Sequence, residues 1–80
     1  MTYSDVMLVR LYHLCQKKKI TFNKLATISG LRQSTIGSMI AGKSKSPTLR
    51  TLHKIAVGLE MTVSELLDFP EMNDTIFNDE

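Results

Sequence analysis

"LRQSTIGSMIAGK" occupies residues 31–43. Its apolar residues Ile36, Met39 and Ile40 recur at helical spacing, which predicts a short helix over about residues 33–41. At about 100° per residue those three fall on one side, and Gln33, Ser34, Gly37, Ser38 and Ala41 gather on the other. A helix that merely faces water favours Glu, Lys and Ala. Here the outer face is short, uncharged and rich in hydrogen-bonding groups. It also keeps a mid-helix glycine, which costs about 1 kcal/mol against alanine. Short side chains let another surface come close, and a glutamine amide can pair with two atoms of an adenine edge. Two readings stand at this point: a helix trimmed to enter a groove, or an indifferent surface helix.

Working outward, the pattern predicts four more helices and no strand. The first covers about residues 5–18, with Ser4 as N-cap and Leu8, Leu11, Leu14 and Cys15 as its apolar stripe. Lys17, Lys18 and Lys19 close it at the negative end of the helix dipole. The second starts after Thr21, carries Phe22, Leu25, Ala26 and Ile28, and stops at Gly30. Gly42 stops the third. After the basic loop "KSKSP", Thr48 leads into a fourth helix whose buried side is read as Leu49, Leu52, Ile55, Ala56 and Leu59. Thr62 and Glu65 make a capping box before a fifth, short helix with Leu66 and Leu67, which Pro70 ends. The expected organisation is one domain over residues 1–69 and an acidic tail over 70–80.

Composition narrows the function. Eighty residues give one modest core, too small to enclose a roomy active site as well. No apolar run approaches the roughly 20 residues of a membrane span, and no secretory leader is evident. Cys15 is the only cysteine, so no disulfide framework or zinc thiolate cluster is expected, and a cytoplasmic location fits. The net charge of +2 conceals an asymmetry. Residues 1–59 hold all ten basic residues and a single acid, Asp5, whereas residues 60–80 hold seven acids and no base. A compact basic body suits a polyanion, or is balanced in cis by the acidic end. His13 and His53 lack ligand spacing and read as surface or boundary residues. Cys15 reads as a small buried hydrophobe. No motif calls for a cofactor or metal, and no catalytic constellation appears.

Two short helices joined at "SGLRQ" make a helix-turn-helix. With Leu25-Ala26, Gly30, Leu31, the run Gln33 through Ile36, Gly42-Lys43, Pro47, Thr51-Leu52, Lys54 through Ala56 and Thr62 through Leu67, the chain resembles the Cro/repressor-type (Xre-like) helix-turn-helix DNA-binding family from about residue 6 to 67. The resemblance implies an all-α, five-helix, lambda-repressor-like domain, encoded by a bacterium or phage. It implies that Gln33, Ser34, Gly37 and Ser38 face base edges. It places phosphate contacts at Thr21, Phe22, Arg32, Thr35, Lys43 and Lys45, where cations and helix-end amides suit the chemistry.

Two departures from the family matter. Relatives often start the second helix with a Gln that braces the recognition Gln, and Phe22 stands there instead. Several also bury an Arg against a Glu at the positions of Cys15 and Ile40. Losing both charges together is the tolerable way to lose such a pair, and it implies that Cys15 and Ile40 are buried together. The expectation is a sequence-specific regulator of double-stranded DNA, a repressor acting by occlusion as a homodimer on a palindromic operator. The alternative is an adaptor or antitoxin-like module that uses the same fold to hold a protein. The tail is expected to dock Met72, Ile76 and Phe77 on the fifth-helix side, in cis or on a second copy, as the site of a protein partner or of the dimer.

Overall fold

A computed structural model describes residues 3–41 and 46–74. These form six helices: α1 (Tyr3–Lys18), α2 (Phe22–Ser29), α3 (Gln33–Ile40), α4 (Leu49–Gly58), α5 (Val63–Leu67) and α6 (Pro70–Asp74). Among the described residues there is no strand, and no helix is long and apolar enough to cross a membrane.

Threonines start three of the helices. The Thr21 hydroxyl accepts from the Lys24 amide at 3.0 Å, and Thr48 accepts from the Thr51 amide at 3.1 Å. Thr62 accepts from the Glu65 amide at 3.0 Å while the Glu65 carboxylate takes the Thr62 amide at 2.8 Å, completing the capping box. Each contact satisfies an amide that has no partner inside its helix.

Three helix ends share one geometry as well. Gly30, Lys19 and Glu60 all lie in the left-handed region, at φ 67°, 58° and 58°. The next residue then donates back across the last turn: Leu31 to Ala26 O, Ile20 to Cys15 O and Met61 to Ala56 O. Those three hydrophobes, Ile20, Leu31 and Met61, all pack against the core. Burying them rewards the reversal even where a charged residue must adopt a conformation that suits glycine.

The core draws Val6, Met7, Leu11, Leu14 and Cys15 from α1, Leu25 and Ala26 from α2, and Ile36 and Met39 from α3. Ile55, Ala56, Leu59, Leu66 and Phe69 complete it. The α2–α4 contact is the most extensive, and Gly58 permits it. A Cβ built there would lie 2.6 Å from Ser29 Oγ and 3.0 Å from both the Ile28 carbonyl oxygen and Ser29 Cα. Arg10 holds the far side of the domain. Its Nε donates to the Leu66 carbonyl at 3.0 Å and its Nη2 to the Glu65 carbonyl at 2.8 Å, while the guanidinium lies 5.1 Å from the centre of the Phe69 ring. Both carbonyls belong to the last turn of α5, where Glu65 O also accepts from the Asp68 amide at 3.3 Å.

The structure corrects four expectations. Ser4 is not an N-cap: α1 begins one residue earlier and Ser4 is buried, its hydroxyl without a partner among the described residues. Leu8 and Ile28 lie at the edges of the apolar faces assigned to them, half-buried and exposed respectively. Leu49 is 71% exposed, although Ile55 and Ala56 further along α4 are fully buried. Pro70 does not end α5, which stops at Leu67, but begins α6, giving six helices among the described residues where the pattern suggested five. Proline suits the first position of a helix, where its missing amide would be unpaired anyway.

Candidate nucleic-acid interface

The Gly30 reversal sets α3 across α2. Leu31 reaches into the core, and Ile36 and Met39 anchor the inner side of α3 at 3% exposure each. The outer side presents Gln33, Ser34 and Gly37 as exposed positions, with Ser38 half-buried beside them. Among the described residues nothing lies within 4 Å of a Cβ built on Gly37, so that glycine answers no packing need there. No described residue covers the small outer face read from the sequence at Gln33, Ser34 and Gly37.

Gln33 is held in a way the sequence did not suggest. Its Nε2 donates to the backbone carbonyl of Asn23 in α2, a long contact of 3.4 Å, and the same carbonyl accepts from the Thr27 hydroxyl at 3.1 Å. Phe22 could not serve as a brace, since it carries no polar side-chain atom and packs half-buried against the core. A backbone acceptor replaces the missing side chain. With one N–H turned toward Asn23, the amide keeps an acceptor and a second N–H for an outside partner.

The residues expected to grip phosphates are arranged around this face. Thr21, at the start of α2, uses its oxygen as a cap acceptor and retains its hydroxyl proton for donation. At Phe22 only the backbone amide can serve. Arg32 precedes α3 without making a side-chain cap, so its exposed guanidinium is not committed to the helix end. Thr35 and Ser38 line a cleft of about 270 Å³ between α3 and α4, with Ser46, Pro47, Thr48 and Thr51 opposite. Lys43 and Lys45 lie outside the described residues, and so does Gly42.

Two sequence readings change. Ile40 is not buried with Cys15. It is 50% exposed and lines a wholly apolar groove with Leu8, Val9, Tyr12 and Phe22, whereas Cys15 is 4% exposed inside the core. Ile40 is the last residue of α3, and Leu8, Val9, Tyr12 and Phe22 flank it without covering it. Arg10 is likewise withdrawn from the basic surface by its contacts to α5. His13 and His53 are exposed and Cys15 is buried, as read. Burial pushes the Cys15 thiol above its ordinary pKa. Among the described residues no group of His, Cys, Asp or Glu side chains could hold a metal ion. A sequence signal for the Asn23 brace does not exist, because a backbone carbonyl is common to every residue type.

Known proteins match this arrangement. The family model of the Cro/C1-type helix-turn-helix DNA-binding domain matches residues 10–71. An uncharacterized HTH-type transcriptional regulator derived from the SPbeta prophage, YopS of Bacillus subtilis strain 168, is 32% identical over 56 residues, covering 70% of this chain and 76% of its own length. The crystal structure of the prophage Lp1 protein 11 superposes with a TM-score of 0.84 at 35% identity, over 94% of this chain and 99% of that one.

Proposed function

Since the chain belongs to the family of Cro/C1-type helix-turn-helix DNA-binding domains, we propose that it is a sequence-specific regulator of transcription that represses by occluding its operator. The observation that carries the reading is the outer face of α3, where Gln33, Ser34 and Gly37 stand exposed on a helix anchored from behind. Gln33, Ser34, Gly37 and Ser38 meet base edges in the major groove. Thr21, the Phe22 amide, Arg32, Thr35, Lys43 and Lys45 neutralise or hydrogen-bond phosphates on either side. The prophage regulator of Bacillus subtilis, named as a transcriptional regulator, supports the regulatory role.

A helix of eight residues reads few base pairs, so the protein acts as a homodimer on a palindromic site. On such a site the two α3 helices lie about one DNA turn, roughly 34 Å, apart. Leu49, with Arg50, His53 and Val63 around it, gives the most exposed large apolar surface for the contact between the two copies. Selection of bound sequences from a random duplex pool, followed by anisotropy titrations, tests the whole reading. Gln33→Ala should cost about 1–3 kcal/mol on the selected site and relax one base position, probed first for adenine. Lys45→Ala should weaken all sequences alike and lower the salt slope by about one unit. A pool that yields no preferred sequence, together with a protein partner retained at high salt, would establish the adaptor alternative instead.

A further inference from the structure

Leu8, Val9 and Tyr12 of α1, Phe22 at the start of α2 and Ile40 at the end of α3 wall an open groove of about 320 Å³. Tyr12 and Ile40 are each half in solvent, and among the described residues no side chain fills the space between them. A single exposed hydrophobe needs no explanation. Five of them, gathered from three helices into one concavity, mark a surface on which something docks. The one polar atom among these five side chains is already engaged: the Tyr12 hydroxyl oxygen accepts from Gln16 Nε2, one turn along α1, at 2.9 Å.

One end of the groove is basic. Lys17 and Lys18 belong to the last turn of α1, and the Lys19 amide donates to the Gln16 carbonyl at 3.1 Å. Phe22 follows Lys19 by three residues, no more than about 11 Å of chain. Three exposed lysines therefore stand where the chain passes from one wall of the groove, Tyr12, to another, Phe22. Across residues 3–40 the only acid is Asp5, in the first turn of α1, at the opposite end of that helix. The charge decides among occupants. A second copy seated here would set basic surface against basic surface. A small apolar molecule would find no polar group to fix its orientation. A helix with apolar residues at i, i+3 or i+4 and i+7, and acids beside them, answers both the floor and the lysines.

We propose that this groove receives an acidic, amphipathic helix of a partner protein. The helix lays its apolar face on Tyr12, Phe22 and Ile40 and directs its carboxylates to Lys17, Lys18 and Lys19. The site uses none of the outer face of α3, so it stands or falls separately from the DNA-binding reading.

Display selection from a library of helical peptides of random sequence, against the full 80-residue protein, tests the proposal. Enriched peptides should carry apolar anchors at i, i+3 or i+4 spacing and a net negative charge. Their binding should weaken about tenfold or more with Ile40→Ser, and likewise with Tyr12→Ser, a second probe of the same floor should the first disturb the fold. Lys17→Gln/Lys18→Gln should weaken it about three- to tenfold at low salt, with the difference lost at high salt. Thermal melts establish that each variant is folded. A library that yields no binder overturns the proposal, and so do enriched peptides that are neutral or basic, or that ignore both floor substitutions. A concentration-dependent dimer in sedimentation that Ile40→Ser dissolves would give the groove to a second copy instead. Ile76 and Phe77 lie outside the described residues. Nuclear Overhauser cross-peaks between the Phe77 and Tyr12 rings would give the groove to the chain's own tail and equally overturn the proposal.

Discussion

Replacing Gly37 by alanine should raise stability and lower DNA affinity in the same molecule. The new methyl meets nothing within 4 Å among the described residues, and the glycine lies inside α3 in a region where any L-residue is comfortable. Alanine therefore gains roughly 0.5–1 kcal/mol from helix propensity and from the smaller entropy of the unfolded chain. For a domain of this size that raises Tm by about 2–8 °C. On the DNA the same methyl would stand between the helix and the base edges. Holding the two surfaces apart by part of a van der Waals diameter should cost about 1–3 kcal/mol, roughly ten- to hundredfold in Kd. Gly58→Ala is the contrasting control. Its methyl would meet backbone atoms of Ile28 and Ser29, which cannot swing aside, so α2 must shift from α4. That change should destabilise by about 1–3 kcal/mol while leaving the intrinsic affinity of the folded fraction in place. Circular-dichroism melts and anisotropy titrations on a selected duplex separate the two effects. Should Gly37→Ala raise Tm and bind as tightly as before, the outer face of α3 is not a surface of close approach, and the role given to its small residues is mistaken.

The remaining predictions concern the scaffold. Arg10→Ala removes two charge-assisted hydrogen bonds and a ring contact, and should lower stability by about 2–4 kcal/mol with little change in the affinity of the folded protein; an unaltered melt would mean the clamp is idle. Ile40→Glu should be tolerated within about 1 kcal/mol because the side chain is half in solvent, whereas Cys15→Arg buries a charge and should unfold the domain. If combining the two changes rescues Cys15→Arg, the separation of these residues described above is wrong. Burial raises the folded-state pKa of Cys15 above its unfolded value, so the native state favours the neutral thiol. Its stabilising contribution is complete below the unfolded value, about pH 8.5, and is lost as pH rises from there through the folded pKa. The stability of the natural protein should therefore fall faster above about pH 8.5 than that of Cys15→Ala, and parallel pH curves would remove Cys15 as the cause.

The starts of α2, α4 and α5 were legible in the sequence because their chemistry is local, whereas those of α1 and α6 were not. Thr21, Thr48 and Thr62 each cap the amide three residues on, as the sequence implies. Gly30 announced its own left-handed turn. Lys19 and Glu60 adopt the same backbone without announcing it, since the benefit lies in burying Ile20 and Met61, a tertiary fact. A helical wheel likewise located the inner face of α3 but not its length of cover, which is why Ile36 and Met39 were placed correctly and Ile40 was not. Leu49 failed for the same reason at the opposite end of a helix. The exposed polar positions of α3 were legible because small uncharged residues on an outward face have no use inside the domain. The brace on Gln33 and the clamp of Arg10 end on carbonyl groups, and no residue pattern encodes a carbonyl.

The Arg10 clamp also bears on the order in which the domain assembles. It joins residues 56 positions apart, whereas the turn between α2 and α3 closes within a few residues and α4 follows shortly after. Short loops close at lower entropic cost, so the α2–α3–α4 unit forms early and the junction of α1 with α5 forms late. During synthesis, the helix that faces the groove would be shaped before α5 has been made, with Arg10 still waiting for its carbonyls. A ribosome stalled after α4 should therefore present a nascent chain with a formed helix-turn-helix and an unlatched first helix, distinguishable by rapid hydrogen exchange confined to α1.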